Sequence, residues 1–409
     1  MAWEKVKLGD VAEVTSSKRI FAHQYVDKGI PFYRQKEIIE RNNKQNISDP
    51  LFISQDLYDD IKSKYGVPEE GDLLITGVGV TLGIPYVVGK EDFYFKDGNL
   101  IWLKNFNKEI CSKYVYYYIS SELGQKAMWS RTIGAAQPAL TIDIVKQYEV
   151  PAPTVETQKR IADILSAYDD LIENNQKQIK LLEEAAQRLY KQWFIDLKFP
   201  GHETTKIIDG LPEGWKKERA DSFFNITIGK TPPRAEKQWF VEGGCGVPWI
   251  SISDMGADSA FIFETEEDLT SEAIKRHNVK VVPPNTVLLS FKLTVGRVSI
   301  TTNNMCTNEA IAHFVTEDDL LREYTYCYLK NFHYDELGST SSISKAINSK
   351  IVKAMPFVMP SDSAIKVFHK VVEPIFDEIF TKQKQIKNLS QSRDRLLPKL
   401  MNNEVKILE

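Results

Sequence analysis

The second half of this chain repeats the first. The segment Gln-Lys-Gln-Ile-Lys at residues 176–180 recurs letter for letter at residues 383–387, which lie 207 positions later. Upstream the offset drifts, but Gly29-Ile-Pro-Phe-Tyr is still similar to Gly246-Val-Pro-Trp-Ile. Solenoid repeats are only about 20–50 residues long, so this period describes two copies of a whole domain with a helix attached. The chain is therefore expected to carry two similar heads.

Further pairs of segments extend the repeat through the heads. Tyr114-Val-Tyr-Tyr-Tyr-Ile corresponds to Tyr324-Thr-Tyr-Cys-Tyr-Leu, and Thr81-Leu-Gly corresponds to Thr294-Val-Gly. Runs rich in β-branched and aromatic residues alternate with turn signals, which is typical of short strands, and helical stretches lie between them. The predicted fold class is α+β, with two similar mixed α/β heads.

Each head leads into a long helix that starts just after a proline. Thr154 and Ser361 occupy the matching N-cap positions, where a hydroxyl can accept from free backbone amides. The predicted boundaries are 1–153 for the first head, 154–199 for its helix, 200–212 for a linker, 213–360 for the second head and 361–409 for the second helix and tail.

Apolar residues in both helices alternate four and three positions apart. A 3.5-residue period over about four heptads is typical of a coiled-coil seam. The predicted seam residues are Ile161, Leu165, Ile172, Asn175, Ile179, Leu182 and Leu189 in the first helix, and Ile379, Lys382, Ile386, Leu389 and Leu396 in the second. We expect the two helices to pair antiparallel about a pseudo-twofold axis, with the seam fixing their register.

Two polar residues and a proline interrupt this pattern. Asn175 and Lys382 occupy equivalent positions and either face each other at the crossing, which would trade stability for register, or point outward at local defects. Pro374 is expected to kink the second helix or to open a new one, because its ring does not fit an unbroken hydrogen-bond ladder.

The composition narrows the class of protein. A chain of 409 residues exceeds the size of a single core, and 42% hydrophobic and 26% charged residues are ordinary for a globular protein. No apolar run approaches the ~20 residues that span a bilayer, and the N-terminus has no apolar signal segment. Four scattered cysteines lack metal-binding or redox spacing. We expect a cytoplasmic protein without a membrane partner.

The overall charge bears on nucleic-acid binding. The net charge is −4 and the pI is near 6.0. Autonomous nucleic-acid binders are more often basic, because neutralising phosphates supplies much of their affinity. DNA binding by this chain therefore requires local basic clusters or a partner that contributes the remaining phosphate contacts.

The sequence contains no recognisable catalytic or metal-binding motif. Gly229-Lys-Thr lacks the upstream glycine of a phosphate loop, since position 224 is Phe. The residues from Gly77 to Gly83 are spaced one residue too widely for a dinucleotide loop and are interpreted as a turn between strands. The histidines are isolated, and Glu404-Val-Lys lacks the upstream acid of a nuclease motif. We expect neither catalytic residues nor metal ligands.

The segment between the first head and its helix carries a family resemblance. Pro151-Ala-Pro-Thr-Val-Glu-Thr-Gln-Lys-Arg-Ile-Ala-Asp-Ile-Leu-Ser-Ala-Tyr-Asp-Asp-Leu-Ile closely resembles the central region of type I restriction–modification specificity subunits. The opening Trp3-Glu-Lys-Val-Lys-Leu-Gly-Asp-Val, the segment Gly134-Ala-Ala-Gln-Pro-Ala-Leu-Thr and the ending Leu400-Met-Asn-Asn-Glu-Val-Lys-Ile are also similar. The second copy departs from the pattern, because Ser361-Asp-Ser-Ala-Ile-Lys lacks the Gln-Lys-Arg found at Gln158.

The resemblance implies a function and a set of partners. Each head would be a target recognition domain that binds one half of a split double-stranded DNA sequence, and the helix pair would set the gap. The chain would have no chemistry or cofactor of its own. It would recruit two adenine-N6 methyltransferase subunits and endonuclease/translocase subunits, and these partners would use S-adenosylmethionine, ATP and Mg.

Base recognition in a major groove favours Arg, Lys, Gln, Ser and Thr on loops. The candidate DNA-binding residues are Arg34, Gln35, Lys36, Thr81, Arg131 and Gln137 in the first head and Ser251, Ser253, Lys292, Arg297, Ser344 and Lys345 in the second. The alternative for each is a solvated surface residue. Trp102, Trp129, Trp239 and Trp249 are expected to pack in cores rather than to stack on bases.

Two other classes of protein compete with this interpretation. A two-headed, non-enzymatic scaffold for protein or glycan partners would explain the duplication and the acidity, but not the family resemblance. An enzyme with two weak active sites fails for want of convergent acids, bases or metal ligands.

Overall fold

The computed structural model describes residues 3–43, 47–132, 138–256, 260–337 and 347–405. Its internal contacts divide the chain into two compact units, Met1–Glu173 with Asn388–Glu409 and Asn174–Lys387. Each unit holds one head, and both long helices contribute residues to both units. Within the described residues, no helix combines the length and apolarity needed to cross a bilayer.

Short strands and helices alternate in the first head. In chain order they are β1 (Lys5–Lys7), α1 (Leu8–Val11), β2 (Glu13–Thr15), β3 (Tyr25–Val26), β4 (Ile30–Tyr33), α2 (Gln35–Asn42), β5 (Leu51–Ile53), α3 (Gln55–Tyr65), β6 (Leu73–Thr76), β7 (Pro85–Val87), β8 (Tyr94–Phe95), β9 (Leu100–Lys104), α4 (Ser112–Ser120), α5 (Glu122–Trp129), α6 (Ile142–Lys146) and β10 (Glu149–Pro151). The strands form two sheets, in the orders β2-β9-β6-β7 and β3-β5-β4-β8, and the pair β1-β10.

A long helix and a short hairpin follow the first head. They are α7 (Val155–Tyr190), which continues as a π-helical turn over Lys191–Ile195, and the strands β11 (Ile207–Ile208) and β12 (Leu211–Pro212). The Thr154 hydroxyl accepts a hydrogen bond from the Thr157 amide at 3.3 Å, as the N-cap prediction requires.

The second head repeats the strand order of the first, with fewer α-helices between the strands and one additional strand. Its elements are β13 (Lys216–Arg219), β14 (Asn225–Ile228), β15 (Phe240–Glu242), β16 (Val247–Ile250), β17 (Phe261–Ile262), β18 (Glu267–Leu269), α8 (Ser271–His277), β19 (Val287–Ser290), β20 (Val298–Thr301), β21 (Cys306–Thr307), β22 (Ile311–Val315), α9 (Arg322–Asn331), α10 (Ser349–Ala354) and β23 (Pro356–Met359), and the chain then enters α11 (Asp362–Met401).

Strand pairing confirms the duplication. The sheet orders β14-β22-β19-β20 and β15-β18-β16-β21 and the pair β13-β23 reproduce those of the first head, and the second head adds β17 at the edge of one sheet. Even the unusual parallel pairing recurs, since β4 runs parallel to β8 and β16 runs parallel to β21. The α+β class with two similar heads is therefore confirmed.

One repeated glycine has a simple steric reason. A side chain on Gly29 would overlap the carbonyl oxygen of Ile53, and a side chain on Gly246 would overlap that of Leu269. In both heads the glycine precedes a strand that pairs with the neighbouring strand carrying that carbonyl. A Cβ at either position would push the two strands apart, so the close approach requires glycine.

The two long helices pack against each other within each unit. In the first unit, Ile161 and Leu165 of α7 share a core with Leu396 and Leu400 of α11. Further along α7 and earlier in α11, the Arg393 guanidinium donates to an Asp169 carboxylate oxygen at 2.6 Å. Because later residues of α7 meet earlier residues of α11, the helices run antiparallel.

The second unit holds the other half of the seam. Its core includes seam positions on both helices, and Trp193 stacks edge-on against Phe368 with ring centroids 5.7 Å apart. The predicted seam residues in this core are Ile179, Leu182 and Leu189 of α7 and Ile379 and Ile386 of α11. Ile172 is buried and Leu389 is half-buried.

The polar interruptions have different environments. Asn175 is buried, while the Lys382 ammonium pairs with Glu378 of its own helix at 2.9 Å. Of the two expectations for Pro374, the start of a new helix is wrong, because α11 runs as one helix from Asp362 to Met401. Pro374 lies on the exposed face, where water can satisfy the freed carbonyl of Lys370, while Val372 and Phe376 hold the opposite face in the core.

Gln158 fastens α7 to the first head. Its side chain is fully buried, accepts from the Cys111 amide at 2.8 Å and donates to the carbonyls of Glu109 and Pro153 at 3.0 and 2.8 Å. The Gln-Lys-Arg motif thus begins with a structural residue.

Replacing this side chain by an apolar one should destabilise the first head. In Gln158→Leu, one buried N–H and two carbonyls lose their partner, and we expect a loss of about 2–3 kcal/mol in unfolding free energy. The exposed neighbour provides the control, since Lys159→Leu should change stability by less than about 0.5 kcal/mol. Urea titrations compare the two, and equal stability of both variants would contradict the assignment.

A buried histidine should make the second head sensitive to acid. His313 of β22 lies between two hydroxyls, with Nδ1 2.8 Å from Thr227 Oγ1 and Nε2 2.7 Å from Thr307 Oγ1. Burial lowers the pKa of His313 to about 4. The unfolded chain binds this proton below about pH 6.5, so stability should fall by up to roughly 3 kcal/mol as pH drops from about 6.5 to 4.

His313→Gln should flatten that part of the pH profile, because glutamine does not titrate. Urea midpoints measured between about pH 4.5 and 7 would test this, with the exposed His23→Gln as the matched control. If wild type and His313→Gln lost stability with the same slope, the acid sensitivity would come from other groups.

Candidate nucleic-acid interface

Two segments that were predicted separately meet in the first head. Residues 34–36 follow β4, and residues 77–83 form the hairpin loop between β6 and β7. The Gln35 side-chain amide donates to the carbonyl of Val78 at 2.8 Å and to the hydroxyl of Thr81 at 2.9 Å. We call these two segments the first loop surface.

The second head joins the corresponding segments by another bond. Residues 251–253 follow β16, and residues 291–297 connect β19 with β20. Here the Arg297 guanidinium donates to the carbonyls of Ile252 and Met255, at 2.7 and 3.2 Å. These residues form the second loop surface. The same junction is thus built with different side chains.

An acidic residue fixes the strand end in both surfaces. The Arg34 amide donates to a Glu37 carboxylate oxygen at 2.7 Å, and the Ser251 amide donates to an Asp254 carboxylate oxygen at 2.8 Å. Each carboxylate lies three residues after the amide that it accepts from, as in a helix cap. The backbone that leaves the sheet is therefore held in one direction in both heads.

A hydroxyl at the end of the central strand braces each hairpin loop. Thr76 donates to the Thr81 carbonyl at 2.5 Å and accepts from the Ile84 amide at 2.8 Å. Ser290 donates to the Thr294 carbonyl at 2.5 Å and accepts from the Arg297 amide at 3.0 Å. Each loop is pinned from inside, so its tip is presented on a fixed support.

Several candidate DNA-binding residues of the first head are engaged within it. The Arg34 guanidinium pairs with buried Glu37 and with Asp49, and these carboxylates raise the pKa of Arg34. Arg131 donates to the Ala127 carbonyl at 3.1 Å. Lys36 differs, because its side chain is 57% exposed and its ammonium lies 3.8 Å from Glu40.

The second head shows the same division. The Ser251 hydroxyl is held by Asp254 and Ser253, at 2.5 and 2.6 Å. The Arg297 guanidinium is occupied by the carbonyls that link the two loop segments. The exposed Lys292 lies over the Phe291 ring, with its ammonium 5.6 Å from the ring centroid. Lys292 and Ser253 are therefore exposed polar side chains of the second loop surface.

Some sequence predictions lie elsewhere. Gln137, Ser344 and Lys345 fall outside the described residues. Trp102, Trp239 and Trp249 are buried as expected. The expectation for Trp129 was wrong, because its side chain is 38% exposed at the end of α5.

The described part of the chain shows no metal-binding cluster and, at Cys306, no reactive thiol. No group of three or more His, Cys, Asp or Glu side chains is arranged there to hold a metal ion. Burial raises the pKa of the Cys306 thiol to about 12, so this thiol stays protonated and unreactive.

Sequence reasoning missed the residues at the loop tips. Val80 and Leu293 are 90% and 95% exposed. Each directly precedes the repeated threonine, Thr81 or Thr294. An aliphatic residue one position before the repeated threonine in both heads was the available signal, but base recognition by hydrogen bonds points to polar side chains alone.

Comparison with known proteins identifies the family. The profile of the type I restriction modification DNA specificity domain matches residues 2–184 and again residues 212–391. The MjaIX specificity subunit of a type I restriction enzyme from Methanocaldococcus jannaschii is 28% identical over an alignment of 316 residues, and the match covers 73% of this chain and 70% of that protein. The HindI specificity subunit of Haemophilus influenzae is 27% identical over 331 residues, covering 66% and 71% of the two chains.

A solved structure shares the fold. The crystal structure of the S subunit of a type I restriction–modification system from M. genitalium aligns with 97% of this chain and 96% of its own, with a TM-score of 0.60 and 16% identity. These relationships agree with the expectation of a DNA-specificity subunit rather than an enzyme. Since the family profile matches both halves, the chain belongs to the type I restriction–modification DNA specificity family.

Proposed function

We propose that this chain is the non-catalytic specificity subunit of a type I restriction–modification complex and that each head binds one half of a bipartite DNA sequence. The observation that carries the proposal is the twofold construction of the loop surface. The backbone scaffold and its hydroxyl brace recur, while the exposed side chains differ between the heads. Two loop surfaces with the same backbone and different exposed side chains are suited to binding two half-sites of different sequence.

The exposed groups on these surfaces fit direct base recognition. Lys36 in the first head, and Ser253 and Lys292 in the second, offer exposed ammonium and hydroxyl groups. The half-buried Thr81 adds a hydroxyl that already accepts from Gln35. Lysine suits the guanine acceptors in a major groove, and hydroxyl groups suit either kind of edge atom. The net charge of −4 means that the partner subunits supply much of the phosphate neutralisation.

The helix pair is the proposed attachment site for the partners and the proposed spacer. Ile164 and Val371 are 36% and 46% exposed and lie at equivalent positions of α7 and α11. Equivalent exposed aliphatic residues suit two copies of one partner, here two adenine-N6 methyltransferase subunits, with endonuclease/translocase subunits joining them. S-adenosylmethionine, ATP and Mg serve the partners in this scheme.

Exchanging one head should change one half of the target. Residues 1–150 are replaced by the first head of another family member, and the chimera is expressed with the methyltransferase subunits. Mapping N6-methyladenine across the host genome should show one altered half-site and one unchanged half-site, because each head carries its own loop surface.

The matched control replaces the second head instead and should alter the other half. If both halves changed together, the assignment of one head to one half-site would be wrong. If no methylation depended on this chain and it captured a protein or glycan instead, the two-headed scaffold would be the better description.

Lengthening both helices should lengthen the gap between the half-sites. One heptad is inserted after Gln176 and another after Gln383, the equivalent positions of α7 and α11. Seven residues add roughly 10 Å of helix, which corresponds to about three base pairs of B-DNA. Methylation mapping should then report unchanged half-sites with a gap about three base pairs longer.

A single insertion after Gln176 is the control, because it should misalign the seam and abolish activity. DNA also turns by about a third of a revolution over three base pairs, so affinity is expected to fall even where the spacing fits. An unchanged gap in an active double-insertion variant would show that something else sets the spacing.

A further inference from the structure

The two loop tips carry the most exposed large hydrophobic side chains in the described part of the chain. Val80 is 90% exposed and Leu293 is 95% exposed, and the next such residue, Leu181, reaches 65%. They lie at equivalent positions, each one residue before the repeated threonine. Single aliphatic residues on a protein surface are common and need no explanation. Nearly complete exposure at the equivalent position of both heads does need one.

Side-chain hydrogen bonds hold the backbone of both loops in place. The hydroxyls of Thr76 and Ser290 close the base of each loop. Leu293 moreover has a φ of 60°, a left-handed conformation that leucine adopts at a cost and that Gly or Asn adopt easily. The second head therefore places an apolar side chain in water on a strained, pinned backbone.

We propose that Val80 and Leu293 are base-contacting residues, each covering the 5-methyl group of one thymine in the major groove of its half-site. The inference rests on the proposed function and adds a specificity determinant to each head. It also explains why the residues are apolar, although they lie among polar groups.

Duplex DNA offers few apolar partners to such a tip. Along the edges of the major groove, the thymine methyl group is the apolar feature that distinguishes one base pair from the others. Thr81 and Lys292 lie beside the two tips and provide a hydroxyl and an ammonium for neighbouring edge atoms. Side chains that wedge between base steps usually do so from the minor groove, and they include leucine but not valine. Because valine occupies one of the two equivalent tips, a surface contact in the major groove suits the pair better than insertion.

Uracil substitution tests the contact directly. The full complex with its methyltransferase subunits is titrated with duplexes of the mapped target in which single thymines are replaced by deoxyuridine, which lacks only the methyl group. Under the proposed function each half-site carries a methylated adenine, so each contains at least the thymine paired with it. We expect one position per half-site where uracil weakens binding by about three- to fivefold, the factor for one buried methyl group.

Two variants locate the contact on the protein. Val80→Ser removes one methyl group and replaces the other by a hydroxyl, and Leu293→Asn keeps the branched shape while tolerating the left-handed backbone. Each variant should bind the thymine duplex about as weakly as wild type binds the uracil duplex. Each should also lose its sensitivity to uracil in the half-site of its own head, while the other half stays sensitive.

Controls separate this contact from folding and from the proposed function. Ile208→Thr changes an aliphatic side chain that is 53% exposed outside the loops, and it should leave affinity and uracil sensitivity unchanged. Unaltered unfolding temperatures would show that the tip variants fold. Sequence-specific binding by the wild-type complex would uphold the proposed function whatever the uracil result.

Two results would overturn the inference. One is wild-type binding that is indifferent to uracil at every thymine of both half-sites. The other is a tip variant with weaker binding but full uracil sensitivity, which would assign the tips to a partner subunit or to a wedge between base steps.

Discussion

An antiparallel pairing between the first and last strands closes each head, and the path of the chain beyond the head depends on it. Lys5 lies opposite Pro151 in the first head, and Lys216 lies opposite Met359 in the second. A tyrosine from the head secures each closing strand, because Tyr114 donates to the Pro151 carbonyl at 2.8 Å and Tyr324 to the Val358 carbonyl at 2.5 Å. Since each long helix begins just after its closing strand, the backbone hydrogen bonds of the head set the direction in which the helix leaves.

Within each head, the same kinds of polar side chain hold the loops in place, while the exposed side chains differ between the two heads. Glu37 and Asp254, and likewise Thr76 and Ser290, occupy equivalent places and accept or donate equivalent bonds. By contrast, the link between the two loop segments uses Gln35 in one head and Arg297 in the other. The scaffold therefore tolerates a change of linking residue without losing the junction, which is what a duplicated recognition surface needs in order to diverge.

Features that depend on residue spacing or on local capping chemistry were predictable from the sequence. The repeat, the seam positions such as Ile161 and Ile379, and the N-cap at Thr154 follow from spacing and capping chemistry, which are local properties of the chain. The sequence did not decide whether α11 continues through Pro374 or restarts there, because this depends on which face of the helix the core covers.

The DNA-contacting residues were harder to predict, because their availability also depends on the tertiary fold. Composition suggested Arg34 and Arg297 as DNA contacts, yet the fold supplies Glu37 and Asp49 to one guanidinium and backbone carbonyls to the other. Partners that are distant in sequence decide whether an arginine is available, and no spacing rule shows them. The exposure of Val80 and Leu293 is likewise a property of the folded loop.

The C-terminal part of α11 has a consequence for biosynthesis. Leu400 and Met401 are 2% and 3% exposed in the core that also holds Ile161 and Leu165. A ribosome that has just made Leu165 must add roughly 235 more residues before these side chains exist, which takes on the order of ten to fifty seconds at bacterial rates. The other unit, Asn174–Lys387, is one contiguous stretch of chain. We therefore expect the unit with the first head to finish folding after the unit with the second, although its head is synthesised earlier.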